Sequence, residues 1–471
     1  MMLDPTLLEE TIRKVLERLP SQLSSNEGSG AQAEYSDGVF PSMDEAVAAA
    51  DQAWREYLRC SMADRRRFVA AIREAMLEPD HLDHMASQAV LQTGMGDVGH
   101  KYLKNKAAAE LTPGVEDLVT EAWSGDDGLT TVEYSPYGVI GAITPTTNPT
   151  ETITCNTIGM LAAGNAVVFS PHPRARDLSL WQVRVINRAL RAVGAPENLV
   201  VTVAEPSIEN TQAMMAHPDV RLLVATGGPG IVRSVLSSGK KAIGAGAGNP
   251  PVVVDTTADL EHAAKCIVDG ASFDNNLPCT SEKEIVAVDA IADLLKFNMV
   301  KNGAFELAAE QVHRLEGILL GKRGPATDWV GKPATQILEA IGVTAPAGVR
   351  LLVFEAAQDH PFVVEEMMMP IIGLVRVPDV DAAIDLACKL EHGNRHTAIM
   401  HSRDVSKLTL MGKLIQTTIF VKNGSSFTGI GIGGEGYSTF TIAGPTGEGL
   451  TRARNFARRR RCVLVGDLNV R

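Results

Sequence analysis

Apolar residues in the first twenty positions recur with a helical period. Leu8, Ile12, Val15, Leu16 and Leu19 share one face, while Glu9, Glu10, Arg13, Lys14, Glu17 and Arg18 fall elsewhere on the wheel. The spacing predicts an amphipathic helix over 1–20. Ser21 to Gly38 is too polar and too rich in Ser and Gly to build a core, which predicts a flexible linker over 21–38. A short helix on a tether needs a surface to bind; the pattern leaves open its own domain, a sister subunit or a separate partner. From Met43 to Met76 the helical spacing returns, with Ser42 placed to cap it, and two packed helices are expected.

After residue 130 short β-rich runs alternate with helical stretches. AVVFS (166–170), LVVTV (199–203), VRLLVA (220–225) and PVVVD (251–255) are continuous apolar strands. Between them lie helices near Glu151 to Leu161, through Leu190, after Ser207 and after Gly230. Strands without polar alternation are buried on both faces, so the expected class is α/β with a parallel sheet covered by helices on each side. A second series, including EIVAV, VRLLVF and TTIFV, runs from near Leu260 to about Phe440 and predicts a second α/β unit. In the tail, CVLV reads as a strand, and the arginines Arg458 to Arg461 before it suit a solvated or subunit-facing strand edge better than an anion site.

Composition narrows the class. The 471 residues carry 56 acidic and 44 basic side chains, a formal charge of −12, with 45% apolar and 21% charged residues. That hydrophobicity excludes a disordered chain, and the acidic balance argues against nucleic-acid binding. No run approaches the roughly 18 to 20 apolar residues of a membrane span, and the acidic start does not fit a secretory signal. A soluble cytoplasmic protein is expected. Six scattered cysteines without a CxxC pair suit a reducing compartment, and no metal site is expected.

Three stretches invite a chemical reading. GAGAG at 244–248 has a GxGxxG only in part. Thr226-Gly227-Gly228-Pro229-Gly230 follows an apolar strand and precedes a helix, so its backbone N–H groups suit an anion site or simply an ordinary turn. Cys279 lies in a Pro-punctuated loop, FDNNLPCTSEK, before the strand EIVAV, where a nucleophile would be exposed and positioned. Cys155, Cys266 and Cys388 fall in apolar helical stretches, Cys60 follows a helix and Cys462 opens a strand; buried or structural roles suit these five.

Taken with TPTTNP (144–149), GNAVVFSPHP (164–173), ATGGPG (225–230), GAGAGNPPVVVD (244–255), FDNNLPC (273–279), EEMMMP (365–370) and EHGNRHTAIMHS (391–402), the chain resembles the aldehyde dehydrogenase superfamily. Within it the resemblance is to the CoA-acylating enzymes of bacterial microcompartments that process ethanolamine or 1,2-propanediol. It implies a Rossmann-type NAD-binding domain (39–125 and 143–255), an α/β catalytic domain (256–445) and oligomerisation strands (126–142 and 446–471) joining a homodimer or homotetramer. It also likens residues 1–20 to an encapsulation peptide that docks on a shell or cargo protein, and so places the enzyme inside a microcompartment.

The resemblance implies roles as well. Cys279 attacks the aldehyde, and Asn148, otherwise readable as a turn residue before Pro149, supplies an oxyanion donor together with the Cys279 backbone N–H. Thr144, Pro145, Ser170, Pro171, His172, Thr226, Gly227, Gly244 and Glu366 are the expected cofactor contacts, with Glu366 on the nicotinamide ribose. Ser170 stands where relatives carry a lysine, which tilts the choice to NAD over NADP unless Arg174 or Arg176 compensates. Hydrolytic relatives have a water-activating glutamate where this chain has Gly244, so CoA is the expected acyl acceptor. Glu366 or Glu282 could replace that base, which keeps open a hydrolytic dehydrogenase; an inactive shell-associated protein is the third reading. His392 and His396 could deprotonate CoA, but structural histidines are commoner and both stay outside the catalytic set.

Overall fold

The computed structural model describes residues 35–322, 324–468 and 470. The helix expected over 1–20 and the linker as far as residue 34 lie outside them. The end of the expected linker is part of the body. The Asp37 carboxylate accepts hydrogen bonds from Arg188 and Arg191, which hold its pKa down. Gly38 (φ +89°) lies so close to Asn187 Nδ2 and the Val200 carbonyl that a Cβ would meet both at 2.4 Å.

The first unit is a six-stranded parallel sheet in the order Val39–Phe40, Val200–Val203, Ala166–Ser170, Val139–Ile143, Val220–Thr226, Lys241–Ala245. Its central strands are buried throughout, as their uninterrupted apolar sequence requires. The two helices expected between Met43 and Met76 are Met43–Tyr57, capped by Ser42, and Met62–Leu77, opened by a Ser61–Asp64 capping box. From Val139–Ile143 the chain winds to one side through two strands, then returns to the other side at Val220–Thr226. That reversal opens a crevice at the carboxyl ends of the strands.

The second unit is a seven-stranded parallel sheet: Ala304–Glu306, Leu351–Glu355, Ile371–Val377, Glu284–Val288, Pro251–Val254, Thr397–His401, Ile419–Lys422. Pro251–Val254, expected at the end of the first unit, sits inside this sheet between Glu284–Val288 and Thr397–His401. Its pattern reported burial on both faces but carried no information about which sheet buries it. The boundary between the two units therefore falls at the loop 246–250.

A three-stranded antiparallel sheet projects from the body: Glu121–Gly125, Gly128–Pro136 and Ala457–Val465. It begins five residues before the expected 126, and of the tail expected from 446 only Ala457–Val465 joins it; Gly449–Leu450 pairs with Ile442–Ala443 instead. Cys462 lies in the middle of its strand rather than at the start. Among the described residues no helix is long and apolar enough to cross a membrane.

Candidate active site

The carboxyl ends of the first sheet face the amino ends of the second across a cavity of about 620 Å³. Residues 144–148, 170–173 and 226–229 arrive from the first sheet. The loop 245–247, the cysteine loop 277–280, Glu366 and His396 arrive ahead of strands of the second. Of the residues expected from the sequence, Cys279, Asn148, Thr144, Pro145, Ser170, Pro171, His172, Thr226, Gly227 and Glu366 all line this one cavity. Gly244 does not. It faces the helix Pro229–Leu236, where a Cβ would meet Val232 Cγ1 at 2.8 Å, and its neighbours Ala245, Gly246 and Ala247 form the wall instead. A glutamate at 244 would have to displace Val232.

Cys279 rides on a loop held in an unfavourable backbone conformation. Asp274, Asn275 and Asn276 all have positive φ (50°, 53° and 65°), a region that residues with a Cβ enter at a cost, and their side chains stabilise it. Asn276 Nδ2 donates to the Ala271 and Glu282 carbonyls at 2.8 and 2.9 Å, and Asn275 Nδ2 to the Gly331 carbonyl at 2.9 Å. Beneath the loop, buried Lys283 Nζ donates to the Asn276 carbonyl (2.8 Å), Asn276 Oδ1 (2.6 Å) and the Pro278 carbonyl (3.4 Å). Lys283 was not singled out in the sequence; its role depends on the tight turn between Asn276 and Ser281.

Burial pushes the Cys279 thiol up to about 12; the Glu366 charge adds to this and the Lys283 ammonium opposes it. The neutral thiol is thereby favoured at rest, so reaction requires a base or a change in the surroundings on binding. Burial also raises Glu366 to about 7, against the Lys283 charge and the Gly248 N–H. Glu282, the other carboxylate considered from sequence, accepts from Ser426 N and Oγ at 2.8 and 2.6 Å and lies outside the cavity wall.

His396, left outside the catalytic set on sequence grounds, lines the cavity. Its Nδ1 pairs with Thr397 Oγ1 at 2.9 Å, while its buried Nε2 has no partner among the described residues. Burial lowers its pKa to about 4, so it is a neutral base at physiological pH. A Cβ on Gly248 would lie 2.8 Å from the Cys279 carbonyl oxygen and 2.9 Å from His396 Cγ, so the glycine lets these two residues approach. His392 is exposed, and its Nε2 sits 3.0 Å from the Val364 carbonyl.

Asn148 caps the helix Pro149–Ala162, whose every residue is buried. Its Oδ1 accepts from Lys104 Nζ and its Nδ2 donates to Thr147 Oγ1 at 3.2 Å. Lys104 was likewise not anticipated. At the first sheet, Thr226 to Pro229 line the cavity at the start of the helix Pro229–Leu236, where Gly228 has open space in place of a side chain. The buried Thr144 Oγ1, also on the wall, lacks a partner among the described residues. Open backbone at a helix start and an unpaired hydroxyl at a strand-order reversal fit a dinucleotide. Ser170 Oγ is paired with Thr211 Oγ1 at 2.8 Å, and Arg176 is bound to the Ala204 carbonyl, Asp177 and Glu205.

Residues 30–304 match the aldehyde dehydrogenase family, and the chain belongs to that family. It is 50% identical, over 97% of its length and 99% of the relative's, to the CoA-propanoylating propanal dehydrogenase of Citrobacter freundii. A solved propionaldehyde dehydrogenase of Rhodopseudomonas palustris, with bound CoA and an acylated cysteine, is 66% identical. It superposes with a TM-score of 0.91 over 93% of this chain and 100% of that one. An engineered glycolyl-CoA reductase with eight mutations and bound NADP⁺ is 65% identical, with a TM-score of 0.91 over 93% and 99% of the two chains.

Proposed function

We infer that this chain is a CoA-acylating aldehyde dehydrogenase. It oxidises a short-chain aldehyde, propionaldehyde or acetaldehyde, with NAD and CoA to the acyl-CoA and NADH. The observation that carries the reading is the convergence of Cys279, Asn148 and His396 on one cavity whose 245–247 wall, like the whole stretch 244–250, holds no carboxylate. The Cys279 thiol gives its proton to the neutral His396 Nε2, which passes it on to solvent; the sulfur adds to the aldehyde carbon, and the Asn148 amide and the Cys279 backbone N–H receive the oxyanion. The dinucleotide, when bound, accepts the hydride. Thr144, Thr226, Gly227 and Glu366 would hold it. The acyl group then rests as a thioester on Cys279 until a CoA thiol, deprotonated by His396 Nε2, displaces the cysteine. NAD rather than NADP is supported by Ser170 in place of a lysine and by the prior commitment of Arg176.

Glu366 keeps a hydrolytic reading in contention, because its carboxyl shares the cavity and is half ionised near neutral pH. One experiment separates the two. Rapid mixing with aldehyde and NAD without CoA should give one equivalent of NADH per subunit and an acyl adduct on the Cys279 peptide, then near-arrest; CoA restores turnover. Cys279→Ala should abolish both phases. Sustained turnover without CoA would establish hydrolysis, and activity in Cys279→Ala would remove the cysteine from the mechanism.

We propose further that residues 1–20 direct the enzyme into a microcompartment through a shell or cargo protein, and that the projecting sheet joins subunits into a dimer or tetramer.

A further inference from the structure

Behind the oxyanion side of the cavity lies a fully buried ionic cluster that none of the chemistry above uses. Lys101 and Lys104, on the helix Val98–Leu111, are fully buried, as are their partners Asp274 and Glu151. Two ammonium groups face two carboxylates, so the charges balance, as burial demands. Lys104 Nζ donates a hydrogen bond to Asn148 Oδ1 and is ion-paired with Asp274 Oδ2 at 2.6 Å and Glu151 Oε1 at 3.1 Å. Lys101 Nζ holds Asp274 Oδ2 at 3.2 Å and the Thr147 carbonyl at 3.0 Å. The cluster thus ties the loop carrying Asn148 to the loop carrying Cys279, because Asp274 begins the three left-handed residues that lead to the cysteine.

An ammonium group only donates. The end of the Asn148 amide beside Lys104 must therefore be the oxygen, and the NH₂ is forced to the opposite side. We propose that Lys104 is a positioning residue for aldehyde oxidation: by holding Asn148 Oδ1 it presents the Asn148 N–H to the developing oxyanion. This deepens the acylating reading and rests on it. Without Lys104 the amide is free to turn its oxygen toward the oxyanion, which repels it. Lys104 does not touch substrate, and its removal should leave the affinities for NAD and CoA in place.

The test compares Lys104→Met, Asn148→Ala and the double variant, with thermal melting and iodoacetamide alkylation of Cys279 as controls for fold and loop. Lys104→Met should lower kcat/KM for propionaldehyde by about 100-fold, near the loss of an oxyanion donor. The KM values for NAD and CoA and the alkylation rate should change little. Because Lys104 acts through Asn148, the double variant should be no slower than Asn148→Ala alone. Should Lys104→Met not fold, Lys104→Gln, which keeps a donor of similar shape in the cluster, serves in the same cycle with a smaller loss and the same non-additivity. Additive losses, or a folded Lys104 variant with the wild-type rate, would overturn the proposal. An Asn148→Ala enzyme as fast as wild type would instead overturn the oxyanion reading itself, and the proposal with it.

Discussion

Burial decides which protonation states the residues around Cys279 can use. Glu366 has the clearest consequence, because its carboxyl titrates near 7 in the folded chain against 4.5 as a free side chain. Between those values the folded state holds the extra proton, so stability contributed at this site falls as pH rises from 4.5 to 7, and the full cost is present above 7. Glu366→Gln should therefore stabilise the protein at pH 8 by about 1–3 kcal/mol, with the gain vanishing toward pH 4.5, while the KM for NAD rises. Urea unfolding at pH 5 and pH 8 checks the sign; equal effects at both would show that burial does not set this carboxyl. Cys279, Asn148 and Glu366 share the cavity, as the family resemblance implied from the short motifs that frame them. Lys104 was not legible in the sequence: it meets Asn148 across 44 positions, and a lysine in a helix reads as solvated until the partner is known. Gly244 was misplaced by strand alternation, since residue 245 faces the cavity and 244 faces the helix behind it.

Elements were more legible than their partners. Ala166–Ser170 coincides with the run AVVFS, and Pro149–Ala162 and Val220–Thr226 lie within a residue or two of expectation, because turn residues bound each apolar run. Pro251–Val254 joined the other sheet, since burial on two faces is the same signal in either. At the amino terminus the reverse holds: Asp37 and Gly38, read as linker, are anchored by Arg188, Arg191 and Asn187. Residues 37 and 38 thus belong to the folded body, although their composition reads as linker. Deleting residues 1–20 should leave kcat, KM and melting temperature unchanged while reducing co-purification with microcompartment shells. Loss of folding on truncation would assign the segment to the body, and undiminished encapsulation would remove its targeting role.

Among the described residues, the projecting sheet is the surface left most open to solvent. Ala457–Val465 pairs along all nine residues with Gly128–Pro136 but forms the edge of a three-stranded sheet, and every residue from Arg458 to Val465 is exposed. Consecutive residues on a strand point to opposite faces. Exposure of Val463, Leu464 and Val465 together, at 55%, 52% and 81%, means that neither face of this end packs on the body. Trp123, on the other outer strand, is 53% exposed. A small sheet with two open faces, apolar side chains and a free edge is marginal alone and invites pairing with another copy. The arginines at 458–461 limit that pairing to partners able to accommodate their charge, which favours a specific assembly over open-ended growth. Replacing Val463 and Leu464 with lysine should leave the sheets around the cavity intact and shift the mass measured by light scattering from an oligomer toward the 50.3 kDa subunit. The apparent melting temperature should then lose its dependence on protein concentration. A wild-type chain that already runs as a monomer at micromolar concentration would overturn this assignment of the projecting sheet.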